Sequence, residues 1–229
     1  AALPFSLTDD QVAAGEAIGA EIASARPMNR LVQGEVGSGK TLVALRGMLQ
    51  VAQSGGQAAL LAPTEVLAQQ HLRSITRALG PDLAASMRPV LFTGQLGAAE
   101  RKKSSLAIAS GSASIVIGTH ALLGERVLFA DLGLVVVDEQ HRFGVEQRDT
   151  LRAKGLLPPH LLVLTATPIP RTVAMTVFGD LDVTTIAQLP AGRQPISSFV
   201  VPLAEKPGWG GRIWSRIAEE LSQGRQTFV

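Results

Sequence analysis

The chain has 229 residues, 46% of them apolar, no cysteine, and a formal net charge of +2. That length holds one full domain and part of a second, the apolar content supports a proper core, and the lack of cysteine rules out a disulfide framework. A sequence pI of about 9.4 overstates the basic character: without Tyr or Cys few groups titrate between histidine and lysine, so a nucleic-acid surface has to be a local patch. Apolar runs such as Leu134–Val137 and Leu161–Leu164 are far shorter than the roughly 20 residues that cross a bilayer. No basic, apolar, small-residue leader opens the chain, so a cytoplasmic location and no membrane partner are expected.

In chain order, Thr8 and Gln11 form a capping box that opens a helix running to Ala25. A short apolar strand, Leu31–Gln33, leads into a helix over Thr41–Gln53, and Ala58–Ala62 leads into Glu65–Leu79. The same alternation gives strand Val90–Phe92 with helix Ala98–Ala109, then Ile115–Ile117 and Leu134–Val137 as strands without polar alternation. Helix Val145–Lys154, strand Leu161–Leu164 and helix Arg171–Phe178 complete the series. Repeated βα units with fully apolar strands predict an α/β fold, an open, mostly parallel central sheet flanked by helices, with ligands at the carboxyl ends of the strands. After Leu189 the chain turns Pro- and Gly-rich through Pro190–Pro195, which reads as a linker. Helix Ile213–Ser222 and a strand beginning at Gln226–Val229 follow. The expected organisation is a domain over 1–189, a linker over 190–198, and the start of a second domain over 199–229.

The strongest motif is Gly34-Glu35-Val36-Gly37-Ser38-Gly39-Lys40-Thr41, which fits G-x-x-x-x-G-K-[ST] between an apolar strand and a helix. Gly34, Gly37 and Gly39 let the backbone N–H groups of the loop, Ser38 included, wrap the phosphates of ATP. Lys40 reaches the β- and γ-phosphates, and Thr41 offers its hydroxyl to Mg²⁺. The strand Leu134–Val137 ends in Asp138 and Glu139. Asp138 would hold Mg²⁺, directly or through water, while Glu139 would orient and deprotonate the attacking water. Gln11 has two readings: a capping residue, or an amide that reads the adenine edge with its donor and acceptor. Phe5 stacks on the base or belongs to the core.

Thr64 in Ala62-Pro63-Thr64-Glu65, and Thr119 and His120 in Gly118-Thr119-His120-Ala121, follow strands and either cap helices or contact phosphodiesters. Thr165 and Thr167 in Thr165-Ala166-Thr167-Pro168 would sense the nucleotide and relay its state, or simply end a turn. His141 and Arg142 either bond toward Thr165 or a phosphate, or lie exposed in a loop. Arg101-Lys102-Lys103 is either a DNA contact or a solvated helix face.

The ordered set Gln11, Gly34–Thr41, Ala62–Thr64, Gly118–His120, Asp138–His141 and Thr165–Pro168 resembles the superfamily 2 helicases of the DExH type. The runs Asp138–Arg148, Ala166–Thr172, Gly179–Val183 and Leu189–Arg193 resemble the RecG family within it. The transcription-repair coupling translocases share parts of these runs but typically carry Glu where Gln140 stands. The resemblance implies a RecA-like P-loop NTPase fold and an ATP-dependent helicase acting on branched duplex DNA, reversing stalled forks and migrating Holliday junctions in repair and recombination. It also implies ATP and Mg²⁺ as cofactors, together with an N-terminal wedge domain and a second motor lobe that this stretch of sequence does not include. A P-loop protein-remodelling switch and a DExH RNA helicase are the competing readings.

Overall fold

The computed structural model describes residues 6–125, 127–138, 150, 154, 157–167, 181–188, 198–202, 204–205 and 207–228. The chain separates into two compact units, Ala1–Ala191 and Gly192–Val229.

The first unit is built on seven strands: β1 Asn29–Gly34, β2 Gln57–Leu61, β3 Val90–Phe92, β4 Ile115–Gly118, β5 Leu132–Asp138, β6 His160–Thr165 and β7 Asp182–Ile186. They lie in the order β3-β4-β2-β5-β6-β1-β7, and every pairing is parallel. Among the described residues four helices belong to it, α1 Asp9–Ile22, α2 Lys40–Gln53, α3 Glu65–Met87 and α4 Ala98–Ala109. Side chains alternate across each strand, so one sheet yields two cores. Val32, Leu60, Ile117, Leu134, Val136 and Leu162 pack with residues of α1, α2 and α3, including Ile18, Met48 and Ile75. Leu31, Ala59, Val116, Val135, Val137 and Val163 pack on the opposite face with Ile108 of α4 and Leu122. Burial on both faces is what a parallel sheet requires, and it explains the uninterrupted apolar strands in the sequence.

Several boundaries differ from the sequence expectation for local physical reasons. The first helix stops at Ile22 rather than Ala25, ahead of Pro27, which disfavours helical backbone at Arg26. The third does not end at Leu79: Gly80 adopts φ 71°, ψ 173°, and Pro81 opens a further helical segment to Met87, the first-turn position where proline's missing N–H is harmless. Strand β7 was not anticipated, since it lies at the sheet edge with only Ile186 fully buried and so lacks a continuous apolar run. The expected helices Val145–Lys154 and Arg171–Phe178 fall almost entirely outside the described residues.

In the second unit, α5 spans Gly210–Ser222 and none of its residues is buried. Arg216 pairs with Glu219 at 2.9 Å and with Glu220 at 2.8 Å, and Arg225 pairs with Glu220 at 2.6 Å. Ile213, Trp214 and Leu221 remain exposed. The strand expected from Gln226 is not formed over residues 226–228, because a strand exists only where a neighbour accepts its ladder bonds.

One half-buried group makes the fold of the first unit sensitive to acid. His160 Nδ1 accepts the backbone N–H of Met28 at 2.9 Å, and burial lowers its pKa below the ordinary 6.5. A folded-state pKa below the unfolded one means that this contribution is complete above about pH 6.5. It is lost as the pH falls through the folded value, because unfolding takes up a proton. Urea unfolding measured between pH 8 and 5 is expected to show stability dropping below pH 6.5, with a shallower drop in His160→Asn, whose amide keeps an acceptor but does not titrate.

Candidate functional site

Because all seven strands run one way, their carboxyl ends share one edge, and the sequence-predicted residues that are described all follow those ends except Gln11, which α1 brings there. The glycine loop after β1 turns into α2 through two left-handed residues, Gly37 at φ 82° and Gly39 at φ 86°. A Cβ on Gly39 would stand 2.3 Å from Gln11 Nε2, and one on Gly34 would stand 2.7 Å from Ser38 Oγ and 2.8 Å from the Ile186 carbonyl oxygen. Glycine is demanded at both places by close approach, and at Gly39 by backbone sign as well. Lys40 is buried, and its ammonium donates to the carbonyls of Gly34 at 2.7 Å and Glu35 at 2.9 Å. Ser38 Oγ is buried without a hydrogen-bond partner. A buried ammonium, an unsatisfied hydroxyl and a loop with no room for side chains fit a phosphate chain better than they fit a purely structural turn.

Gln11 makes both halves of the capping box at the start of α1. Thr8 Oγ1 accepts the Gln11 N–H at 3.3 Å, and Gln11 Oε1 accepts the Thr8 N–H at 3.1 Å. The capping box is therefore real. The same amide donates from Nε2 to the Ser38 carbonyl at 2.8 Å, so the helix cap is bonded to the glycine loop itself. A primary amide has a second N–H and a second lone pair, which leaves the adenine reading open. A cleft of about 440 Å³ adjoins it, lined by Leu7, Gln11, Leu42 and Arg46 among others.

Asp138 ends β5, and its Oδ2 lies 2.6 Å from His71 Nε2 of α3. Strand β6 runs between β5 and β1, so Thr165 and Thr167 sit between the carboxylate strand and the phosphate-loop strand. Their hydroxyls are 3.0 Å apart, and Thr165 Oγ1 accepts the Thr167 N–H at 3.2 Å. Thr41, at the start of α2, is half-buried. Among the described residues no group of three or more His, Cys, Asp or Glu is clustered for a metal, so a cation here would rest on Thr41, Asp138 and the phosphates. Phe5, Glu139 and His141 lie outside the described residues.

The other half of the sheet, β3-β4-β2, carries the loops expected to meet phosphodiesters. Thr64 caps α3, accepting the Leu67 N–H at 3.3 Å. Thr119 makes no cap bond, and its hydroxyl is buried and unpaired, whereas His120 in the following 3₁₀ turn is exposed. Sequence reasoning missed Thr93 and Gly94 after β3, although a hydroxyl directly after a strand was the same signal that marked Thr64 and Thr119. They line a cleft of about 420 Å³ with Phe92, Arg101, Ala121 and Glu125. Arg101 is exposed, and its guanidinium donates to the carbonyls of Gly94 and Leu96, holding that loop. Lys102 and Lys103 are exposed. His71 was also missed.

A P-loop, a carboxylate-tipped strand one strand away from it and a row of hydroxyl-bearing loops on one edge of a parallel sheet define a helicase motor domain. Residues 9–176 match the DEAD/DEAH box helicases, and the chain belongs to that family. Within it the chain is similar to RecG: it is 56% identical to the ATP-dependent DNA helicase RecG of Mycobacterium tuberculosis, across 99% of this chain and 32% of that protein. A solved structure of RecG bound to a three-way DNA junction superposes with a TM-score of 0.80 at 37% identity, covering 97% of this chain and 29% of that one. A DEAD-box helicase bound to single-stranded RNA shares the fold, with a TM-score of 0.66 at 17% identity over 94% of this chain and 48% of that one. The chain spans about a third of the length of the curated relatives it matches.

The glycine loop should tolerate little. Gly39→Ala combines an unfavourable left-handed backbone, costing about 1–2 kcal/mol, with a clash against Gln11, and it is expected to lower the melting temperature by several degrees and to abolish nucleotide binding, both measurable by thermal shift with and without ATP.

Proposed function

We propose that this chain is the nucleotide-binding motor lobe of a RecG-type DNA translocase, in which ATP turnover is coupled to movement on branched duplex DNA. The observation that carries the reading is the strand order. It gathers the phosphate loop, Thr165–Thr167 and Asp138 on β1, β6 and β5, and sets the loops with Thr64, Thr93 and Thr119 on the adjoining β2, β3 and β4. Nucleotide and nucleic acid would thus occupy neighbouring stretches of one edge. The similarity to RecG across almost the whole chain supports this reading over a transcription-repair coupling translocase or a protein-remodelling switch.

On this reading Lys40, Ser38 and the loop N–H groups bind the β- and γ-phosphates of ATP, and Gln11 offers its spare donor and acceptor to adenine. Thr41 and Asp138 would hold Mg²⁺, which supplies neutralisation of the phosphate charge when bound. Glu139, next to Asp138, is placed by sequence to orient the attacking water and take its proton. Thr64, the Thr93-Gly94 turn and the segment Thr119–His120 grip the sugar-phosphate backbone through helix N-termini and hydroxyls, which gives affinity without sequence readout. Thr165, Thr167 and His141 relay nucleotide state. Residues 1–189 form this lobe, 190–198 a linker, and 199–229 the beginning of a second lobe. The exposed Ile213, Trp214 and Leu221 of α5 support the last point, since an apolar helix face calls for a covering partner.

The test is the ATPase rate of the intact protein with branched duplex DNA, single-stranded DNA, RNA or no nucleic acid, alongside Lys40→Ala. Stimulation chiefly by branched duplex, lost in Lys40→Ala, is expected. The chain alone should turn over at least about 10³-fold more slowly, for want of arginine fingers from a second lobe. A Lys40-dependent rate indifferent to every nucleic acid would refute the translocase reading.

A further inference from the structure

We propose that His71 is a positioning residue: it fixes the Asp138 carboxylate for metal binding and ties that carboxylate to helix α3. The proposal rests on the assignment of Asp138 to the Mg²⁺ site. His71 Nε2 lies 2.6 Å from Asp138 Oδ2, and the two side chains are only 12% and 15% exposed. On α3 the buried residues Ala68, Ile75 and Leu79 recur at helical spacing, and His71 falls between them at the position where that stripe calls for an apolar side chain. An imidazole in such a stripe needs a polar partner, and Asp138 is that partner across the sheet edge.

A carboxylate is a two-fold rotor, and one fixed oxygen stops the rotation. With Oδ2 held by the imidazole N–H, Oδ1 is left as the oxygen for a cation or its water, so the ordering cost is met before the metal arrives. Outer partners of this kind commonly change metal affinity about 10–100-fold. The arrangement also has reach. Thr64, the cap of α3, lies seven positions before His71, on the same face of the helix and roughly 10 Å away along its axis. A shift of α3 driven at its N-terminus, where the phosphodiester is proposed to bind, is delivered to Asp138 through a single hydrogen bond.

The experiment measures binding of a fluorescent ATP analogue to the full 229-residue chain, as a function of Mg²⁺ and in EDTA, for the wild type, Lys40→Ala, His71→Ala and His71→Gln. His71→Ala is expected to raise the Mg²⁺ concentration for half-saturation about 10–100-fold while leaving binding in EDTA unchanged. His71→Gln, whose Nε2 reaches the place of the imidazole nitrogen, should recover most of the loss. If His71→Ala does not fold, His71→Met and His71→Gln decide in its place, being similar in size but differing in the donor. The proposal is overturned if removing the donor shifts the Mg²⁺ requirement less than twofold, if binding falls equally with and without Mg²⁺, or if Gln fails to restore it. Wild-type binding that ignores both Mg²⁺ and Lys40 would overturn the nucleotide-site reading together with it, whereas a normal wild type beside an unaffected His71→Ala removes only the role of His71.

Discussion

Everything at the working edge of this protein follows from one constraint: among the described strands every pairing is parallel. A parallel strand cannot be reached by a tight turn, so the chain must cross over the sheet between strands, and helices cover both faces. That covering gives the two apolar cores. It also brings every strand to its end on the same side, where loops are released from the demands of packing. The functional groups are therefore collected by topology, although in sequence they are scattered from Gln11 to Thr167.

The first helix shows how the loops are then held. Two successive residues at its start reach in different directions. Asp10 Oδ2 accepts the backbone N–H groups of Ala187 at 2.9 Å and Gln188 at 2.8 Å, directly after β7. Gln11 donates to Ser38 in the glycine loop. Farther along the same helix, Glu21 pairs with Arg30 of β1, and Arg30 also donates to Thr184 of β7. The helix thereby fastens the phosphate-loop strand to the edge strand at both ends. A change of shape in the glycine loop would be passed, through Gln11 and its neighbour Asp10, to the backbone that leaves the sheet.

What the sequence disclosed and what it withheld divide along physical lines. Buried parallel strands such as Leu134–Val137 advertise themselves because both faces must be apolar. The edge strand Asp182–Ile186 does not, since only Ile186 is fully buried. The glycine loop was legible because its chemistry is local, held within eight consecutive residues. The partnership of His71 with Asp138 was not, because it depends on α3 and β5 meeting across the sheet edge, and no spacing in one sequence encodes that approach. Gln11 is the intermediate case. Its capping box could be read from a separation of three residues, but its bond to Ser38 depends on how α1 docks beside the loop.

The electrostatics of the proposed nucleic-acid edge complete the physical picture. The net charge is only +2, and the guanidinium of Arg101 is held in place by the carbonyls of Gly94 and Leu96, so the edge's mobile positive charge rests with exposed side chains such as Lys102 and Lys103. Its grip on phosphates would come from hydroxyls, peptide N–H groups and the helix N-terminus after Thr64. Those donors are fixed by the fold, are neutral, and release few counterions when they bind, so they contribute modestly to a salt-dependent affinity. For a motor this is an advantage over a lysine-rich groove. On the proposed translocase reading, a lobe that lets go of the backbone in each ATP cycle would need contacts whose strength depends on alignment, since a small displacement of α3 could then switch the grip off, whereas long-range charge attraction would persist through the step.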